Sequence, residues 1–222
     1  MNDDHLRAAV AAERGDQARL LAELDPEQWD APTLCDGWRV REVVAHTTMP
    51  FRTSLARTLL ELAKARGDIN RMSDQCARRD AARLTSEQLL ASLRDNITHP
   101  WKPPGSGVHG ALSHDVIHGL DITVALGLDR RVPPDRIAMV LTGMRPQNIA
   151  FFKTDLTGVA LQATDLDWTH GTGAPLHGRA QDLLLLICGR HLPPGHLKGE
   201  PAPRFTRHPS PTPSPTQRPP LP

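Results

Sequence analysis

Tyrosine is absent from this chain of 222 residues, and tryptophan and phenylalanine number four each. So few aromatic residues leave a core of Leu, Val, Ile and Ala, which favours packed helices over a large sandwich of sheets. Cysteine is scarce as well. Cys35, Cys76 and Cys188 are far apart and odd in number, which excludes a disulfide framework and a CxxC metal pair. A reducing, cytoplasmic setting suits such a chain. Charge of one sign is also lacking. Lys and Arg total 26 against 25 Asp and Glu, so there is no basic excess to attract nucleic acid. No apolar run approaches the ~18 residues that a membrane span needs. Asp3, Asp4, Glu13, Asp16 and Glu23 interrupt the first 30 residues, so no secretory leader is legible there. The expectation is a soluble protein with neither nucleic acid nor a membrane as partner.

The apolar periodicity is helical over most of the length. His5 to Leu24 reads as a first helix. Two prolines and Asp36-Gly37 then mark a loop that Trp29 and Trp38 anchor. From Trp38, Val40, Val43, Val44 and Thr47 fall at i, i+3, i+4 and i+7, and Pro50 should kink or end that helix. Leu55, Leu59 and Leu62 predict an apolar stripe on a following helix closed by Gly67. Residues 68–84 are polar and weakly periodic, either a partly exposed helix or a loop. A short helix follows over Ser86 to Asn96, with Thr85 or Ser86 as its cap. After the breaker HPWKPPGSGVHG comes the clearest helix, from about Val108 to Leu126. Another opens with Pro134 in its first turn.

Near residue 150 the pattern changes. Short apolar stretches alternate with glycine-rich turns, predicting two strands, and AQDLLLLICGR reads as a buried final helix. From Pro193 onward lie 11 of the 21 prolines, which predicts a solvated, disordered tail of polyproline character. The division expected is a helical bundle over 1–149, a small α+β segment over 150–191 and a Pro-rich tail over 192–222.

His114 and His118 sit four residues apart on the clearest helix. That spacing puts both imidazoles on one face, with Cβ atoms roughly 6 Å apart, close enough to share a metal ion. With Asp121 they form a polar seam beside the apolar stripe Leu112, Val116, Leu120 and Val124, where bundle metal sites are built. Asp121 is placed to orient a ligand ring. A third ligand must come from elsewhere in the fold.

Three segments carry a family resemblance. WDAPTLCDGWRVREVVAH, Trp29 to His46, resembles the amino-terminal signature of the mycothiol-dependent maleylpyruvate isomerase family, within the wider DinB-like bundles. HDVIHGLDI resembles that family's later ExxxHxxD helix, and TDLDWTHGTGAPLHGRAQDLLLLICGR resembles its carboxy-terminal strand-turn-helix segment. The resemblance covers about residues 1 to 191. It implies a mainly α protein: a DinB-like four-helix bundle with a small C-terminal α+β segment. Carried over by position, it implies His46, His114 and His118 as metal ligands. It also implies an arginine near the carboxy-terminal end, here matched by Arg190, that can face the site and bind an anionic substrate. The simpler role for Arg190 is to cap a helix end. The mycothiol-linked branch commonly has glutamate where this chain has His114, which keeps a ligand and removes its charge.

Three neutral imidazoles favour zinc, leave its full charge in place and keep a fourth position open. The resemblance implies mycothiol as the thiol bound there, its sulfur adding to an electrophilic substrate. Expulsion of the sulfur gives isomerisation and retention gives S-transfer. Three other readings stay open. A metal-dependent hydrolase would use Asp115 or Asp121 as base. A non-enzymatic metal-binding bundle would close its site with His109 or His170. A plain helical bundle would carry its histidines by coincidence. Cys35 is either a thiol near the site or a small buried residue.

Overall fold

The computed structural model describes residues 2–144 and 146–207. Helix α1 (Asp3–Ala22) starts at Asn2, whose side chain accepts from the amides of Asp4 and His5. The carboxylates of Asp3 and Asp4 then sit at its positive end. After a 3₁₀ turn (Pro26–Asp30), the chain enters α2 (Val40–Arg52) through a cap in which Glu42 reaches back to the Arg39 amide. Pro50 is carried inside α2, and the helix ends two residues beyond it. Helix α3 (Leu55–Lys64) is therefore a separate element with its own Ser54 cap. Next come α4 (Ile69–Arg83) and α5 (Ser86–Arg94), the latter opened by a Thr85/Gln88 capping box.

Helix α6 (Gly107–Ala125) is the centre of the molecule. Leu112, Val116, Leu120 and Val124 are buried as the sequence pattern requires, Val108 extends that stripe by one turn, and Ala111, Ile117 and Ile122 are buried beside it. It packs on α1 and α2, and those two both pack on α5. The four helices α1, α2, α5 and α6 thus close a ring, which is the four-helix bundle expected. Helix α4 packs outside α2, and α3 packs on α4. Gly119 allows α1 its close approach: a Cβ there would lie 2.7 Å from Gln17 Nε2 and 2.8 Å from Arg130 Nη1.

Beyond α7 (Pro134–Gly143) and α8 (Pro146–Phe152), four short strands form one sheet in the order β2-β1-β3-β4. Strand β1 (Val159–Ala163) runs parallel to β3 (Ala174–Gly178), with Leu161 opposite Leu176. Strands β2 (Thr169–His170) and β4 (Leu197–Lys198) pair antiparallel on the two edges. Helix α9 (Ala180–Ile187) is held among β1, α6 and α7. That surrounds it with protein, so the run Leu183–Ile187 is buried on every side. Each such leucine contributes roughly 1.5–3 kcal/mol of hydrophobic stabilisation. Arginines from the 130s tie this part to α1. Arg130 and Arg136 each lie 2.6 Å from the fully buried Glu13 carboxylate.

Two expectations are corrected, and one open alternative is decided in favour of a helix. The stripe Leu55, Leu59, Leu62 is not a core stripe: Leu55 is 75% and Leu59 57% exposed, and only Leu62 packs inward. Residues 68–84 are helical, because Met72, Cys76, Ala77 and Ala81 recur at helical spacing among the charges. Residues 192–207, expected as part of the tail, are folded. Leu192 and Phe205 are buried, the Leu192 amide donates to Phe205 O, and β4 completes the sheet. Proline content outweighed these apolar anchors in the sequence reading; residues 208–222 lie outside the described residues.

Candidate metal centre

Helix α2 delivers His46 and α6 delivers His114 and His118, on the face where the two helices pack. The three rings meet with centroids 4.8–5.1 Å apart. One ring nitrogen from each falls within 4.8 Å of the others. His46 Nε2 lies 3.1 Å from His114 Nε2. The three residues singled out in the sequence are therefore neighbours in space.

Their tautomers follow from the groups behind them. His114 Nδ1 is 3.1 Å from Asp115 Oδ1, and His118 Nδ1 is 3.0 Å from Asp121 Oδ2. A carboxylate only accepts, so each Nδ1 carries the proton and each Nε2 keeps its lone pair free. Burial, reinforced by the neighbouring rings, lowers the pKa of His46 well below that of free imidazole. Burial also lowers that of His118, although Asp121 opposes the shift. Both are neutral near pH 7, the form that ligates metals. His46 Nδ1 is buried with no hydrogen-bond partner. Two imidazole nitrogens on a tetrahedral ion with bonds of about 2.0–2.1 Å would sit about 3.3 Å apart. The 3.1 Å approach of the two Nε2 atoms matches that, so the residues present fit a divalent metal.

Asp121 is fully buried and accepts from three directions. His118 and the Cys35 thiol reach Oδ2, the thiol at 2.9 Å. Arg190 spans both oxygens, Nε to Oδ1 at 2.9 Å and Nη2 to Oδ2 at 2.8 Å. Burial would raise the Asp121 pKa, but the Arg190 and His118 hydrogen bonds outweigh it, and the group lies well below the ordinary carboxylate range. Burial raises Cys35, and the Asp121 charge adds to the rise, so it stays a thiol at neutral pH. Arg190 also donates to Cys188 O at 2.8 Å. It therefore caps the end of α9 and reaches the site at once, through the carboxylate that holds His118.

The indoles of Trp38 and Trp101 flank the trio, 5.1 Å from the His46 ring and 5.2 Å from the His114 ring. Trp38 is pinned by its indole N–H, 2.8 Å from Asp74 of α4. Trp101 also lines a cavity of about 50 Å³ shared with Arg7, Ile97, Lys102 and Val108. That volume is too small for a whole substrate. His109 and His170 stand outside the trio. His109 faces Gly143 of α7 and His170 stacks on Trp168. Among the described residues no fourth protein ligand joins the three histidines. Asp115 and Asp121 are both occupied by an arginine and a ring, so neither is a free base.

Sequence reasoning missed Arg14 and Trp101. Arg14 had a signal: it lies on the buried face of α1 with Val10, Gln17, Ala18 and Leu21, where a charged residue needs a reason. Trp101 sits in a proline-rich loop whose path no periodicity predicts.

Comparison with known proteins agrees with this picture. Residues 10–99 match the model of the mycothiol maleylpyruvate isomerase N-terminal domain. Uncharacterized proteins from two strains of Mycobacterium tuberculosis are 26% identical over 217 residues, covering 82% of this chain and 84% of theirs. The crystal structure of the mycothiol-dependent maleylpyruvate isomerase, and that of a histidine-to-alanine mutant of it, superpose with a TM-score of 0.52. Each covers 91% of this chain and 94% of the solved one at 12% identity, which is a likeness of fold.

Proposed function

We propose that this chain, whose residues 10–99 match the mycothiol maleylpyruvate isomerase N-terminal domain, is a metal-dependent, thiol-dependent isomerase or S-transferase that acts on a small electrophilic substrate. His46, His114 and His118 hold the metal, zinc by the all-nitrogen donor set. Mycothiol is the thiol cosubstrate, by analogy with the solved isomerase, and the cytoplasm is the setting. The observation that carries the reading is the 3.1 Å approach of two Nε2 atoms, one of them on a ring whose Nδ1 a carboxylate holds.

A divalent metal bound there supplies an open position that acidifies a thiol. The chain's own residues do the rest. Asp115 and Asp121 keep His114 and His118 in the ligating tautomer. Trp38 and Trp101 wall the rings and shed water from them. Arg190 neutralises Asp121, so its carboxylate orients a ring and adds no net negative charge beside the thiol. A hydrolase would need a free general base near the trio, and both nearby carboxylates are occupied.

The test is metal content of the purified protein by mass spectrometry, beside His46→Ala and His118→Ala. About one equivalent of zinc, lost in both variants, is expected. Protein that stays metal-free after zinc is added would refute the site. Metal-loaded protein should then consume mycothiol or isomerise its substrate in a screen of electrophiles. Turnover that is independent of thiol would refute the thiol chemistry.

A further inference from the structure

The two histidines that α6 gives to the trio are each backed by a carboxylate, and each carboxylate by an arginine from a distant segment. For His118 the arginine is Arg190. For His114 it is Arg14, 101 residues upstream of Asp115: its Nε lies 2.7 Å from Asp115 Oδ2, while Asp115 Oδ1 faces the ring. The pair is deeply buried, Arg14 at 1% and Asp115 at 3% exposure. The same guanidinium donates through Nη1 to the carbonyl of His99 at 2.7 Å. It also stacks over Phe51, 5.0 Å from the ring centroid. His99 is two residues before Trp101, whose indole packs against His114. One buried cation thus reaches both supports of a single ring, the carboxylate behind it and the loop that bears the indole beside it.

We propose that Arg14 is a positioning residue for the metal centre. Acting through Asp115, it fixes His114 with its proton on Nδ1 and its Nε2 lone pair turned toward His46. It also sets the path of the loop that lays Trp101 on the ring. The proposal rests on the metal reading above. The charge of Asp115 is what makes the arrangement hold: one oxygen accepts from Arg14 and the other from the ring. Asn at this position has one accepting oxygen, and the charged guanidinium, the stronger donor, takes it. The amide nitrogen then faces the ring, where only an unprotonated Nδ1 can accept. The ring proton moves to Nε2 and the ligand lone pair is lost.

Two measurements test this on the full chain. In long-range proton–nitrogen spectra of the metal-free protein, His114 should be protonated on Nδ1 in the wild type and on Nε2 in Asp115→Asn. An unchanged tautomer overturns the proposal whether or not metal binds. Zinc affinity, read by competition with a chelator, should fall roughly 10–100-fold in Asp115→Asn. In a His114→Glu background the same substitution should cost little, because a carboxylate ligand has no Nδ1 to hold. An equal loss in both backgrounds means that Asp115 acts on the fold alone, and overturns the proposal. Arg14→Lys keeps the charge and loses the fork, and should fall between wild type and Asp115→Asn; affinity equal to the wild type counts against Arg14. Wild-type protein that binds no zinc refutes the metal reading, while the spectra still decide the tautomer.

Discussion

Replacing Arg190 with alanine should unfold the protein more readily than any exposed substitution. Asp121 is fully buried, and Arg190 spans both of its oxygens. Removing one partner of a buried pair strands the other charge, at a cost of about 3–5 kcal/mol. The Arg190 side chain is 17% exposed, so water can enter the gap, and about 2–4 kcal/mol is the better expectation. In a chain of this size that lowers Tm by roughly 4–16 °C. The assay is urea and thermal unfolding of metal-free protein followed by circular dichroism. Asp121→Asn removes the charge that would be stranded, so Arg190→Ala in that background should cost about 1 kcal/mol or less. The pH dependence has a definite sign. In the wild type, burial raises Asp121 but the Arg190 and His118 hydrogen bonds win, leaving it well below the ordinary range. A depressed carboxylate contributes stability above its unfolded pKa of about 4, and that stability is lost as pH falls toward its folded value. Without Arg190, burial is less opposed and Asp121 takes its proton at higher pH. The deficit of Arg190→Ala should therefore be largest at neutral pH and narrow as the solution is acidified. A loss below about 1 kcal/mol at pH 7, or an equal loss in the Asp121→Asn background, would refute the reasoning.

Other measurements probe separate parts. Cys35→Ser keeps a donor toward Asp121 Oδ2 and should leave zinc affinity within a few-fold, whereas Asp121→Asn should lower it roughly 10–100-fold. The folded protein should react with iodoacetamide at Cys35 more slowly than a free thiol does, because burial and the Asp121 charge keep the group protonated; labelling at the free-thiol rate would contradict that. Thr85→Ala removes the capping box of α5 and should cost about 1 kcal/mol in urea unfolding with no change in metal content. Phe205→Ala should cost about 2–4 kcal/mol if residues 192–207 belong to the core as their burial indicates, and near zero if they do not.

The bundle was legible because α2 and α6 carry a sustained apolar pattern and bury the residues that pattern picks out, while α1, whose period falters around Gly15, buries Leu6, Val10 and Leu21 and leaves Leu20 and Leu24 half-buried. The histidine pair was legible for a related reason: i, i+4 spacing on a helix is a statement about distance. His46 was different. Nothing along α2 marks its histidine as a partner for residues 68 and 72 positions away; the family resemblance supplied it, and the helix packing brings it to the trio. Arg190 was legible as a helix cap and, through the resemblance, as an arginine that can face the site; its reach to Asp121 depends on where α9 docks. The α3 stripe and the proline-rich region 192–207 misled in opposite directions. Periodicity reports which residues share a face, but not whether another element covers it. Composition reports an average, and Leu192 and Phe205 bury themselves despite their neighbours.

The arginine that reaches Asp121 comes late in the chain. A protein made from its amino terminus has produced all three histidines, both carboxylates and Arg14 before residue 190 exists. Until then Asp121, the carboxylate behind His118, has no arginine across its two oxygens. If the trio binds metal as proposed, firm retention begins only when the last helix has been made and docked. Release of metal would mark a truncated or unravelled carboxy-terminal part. A metal held there would then double as a seal of completeness, telling a finished molecule from an interrupted one.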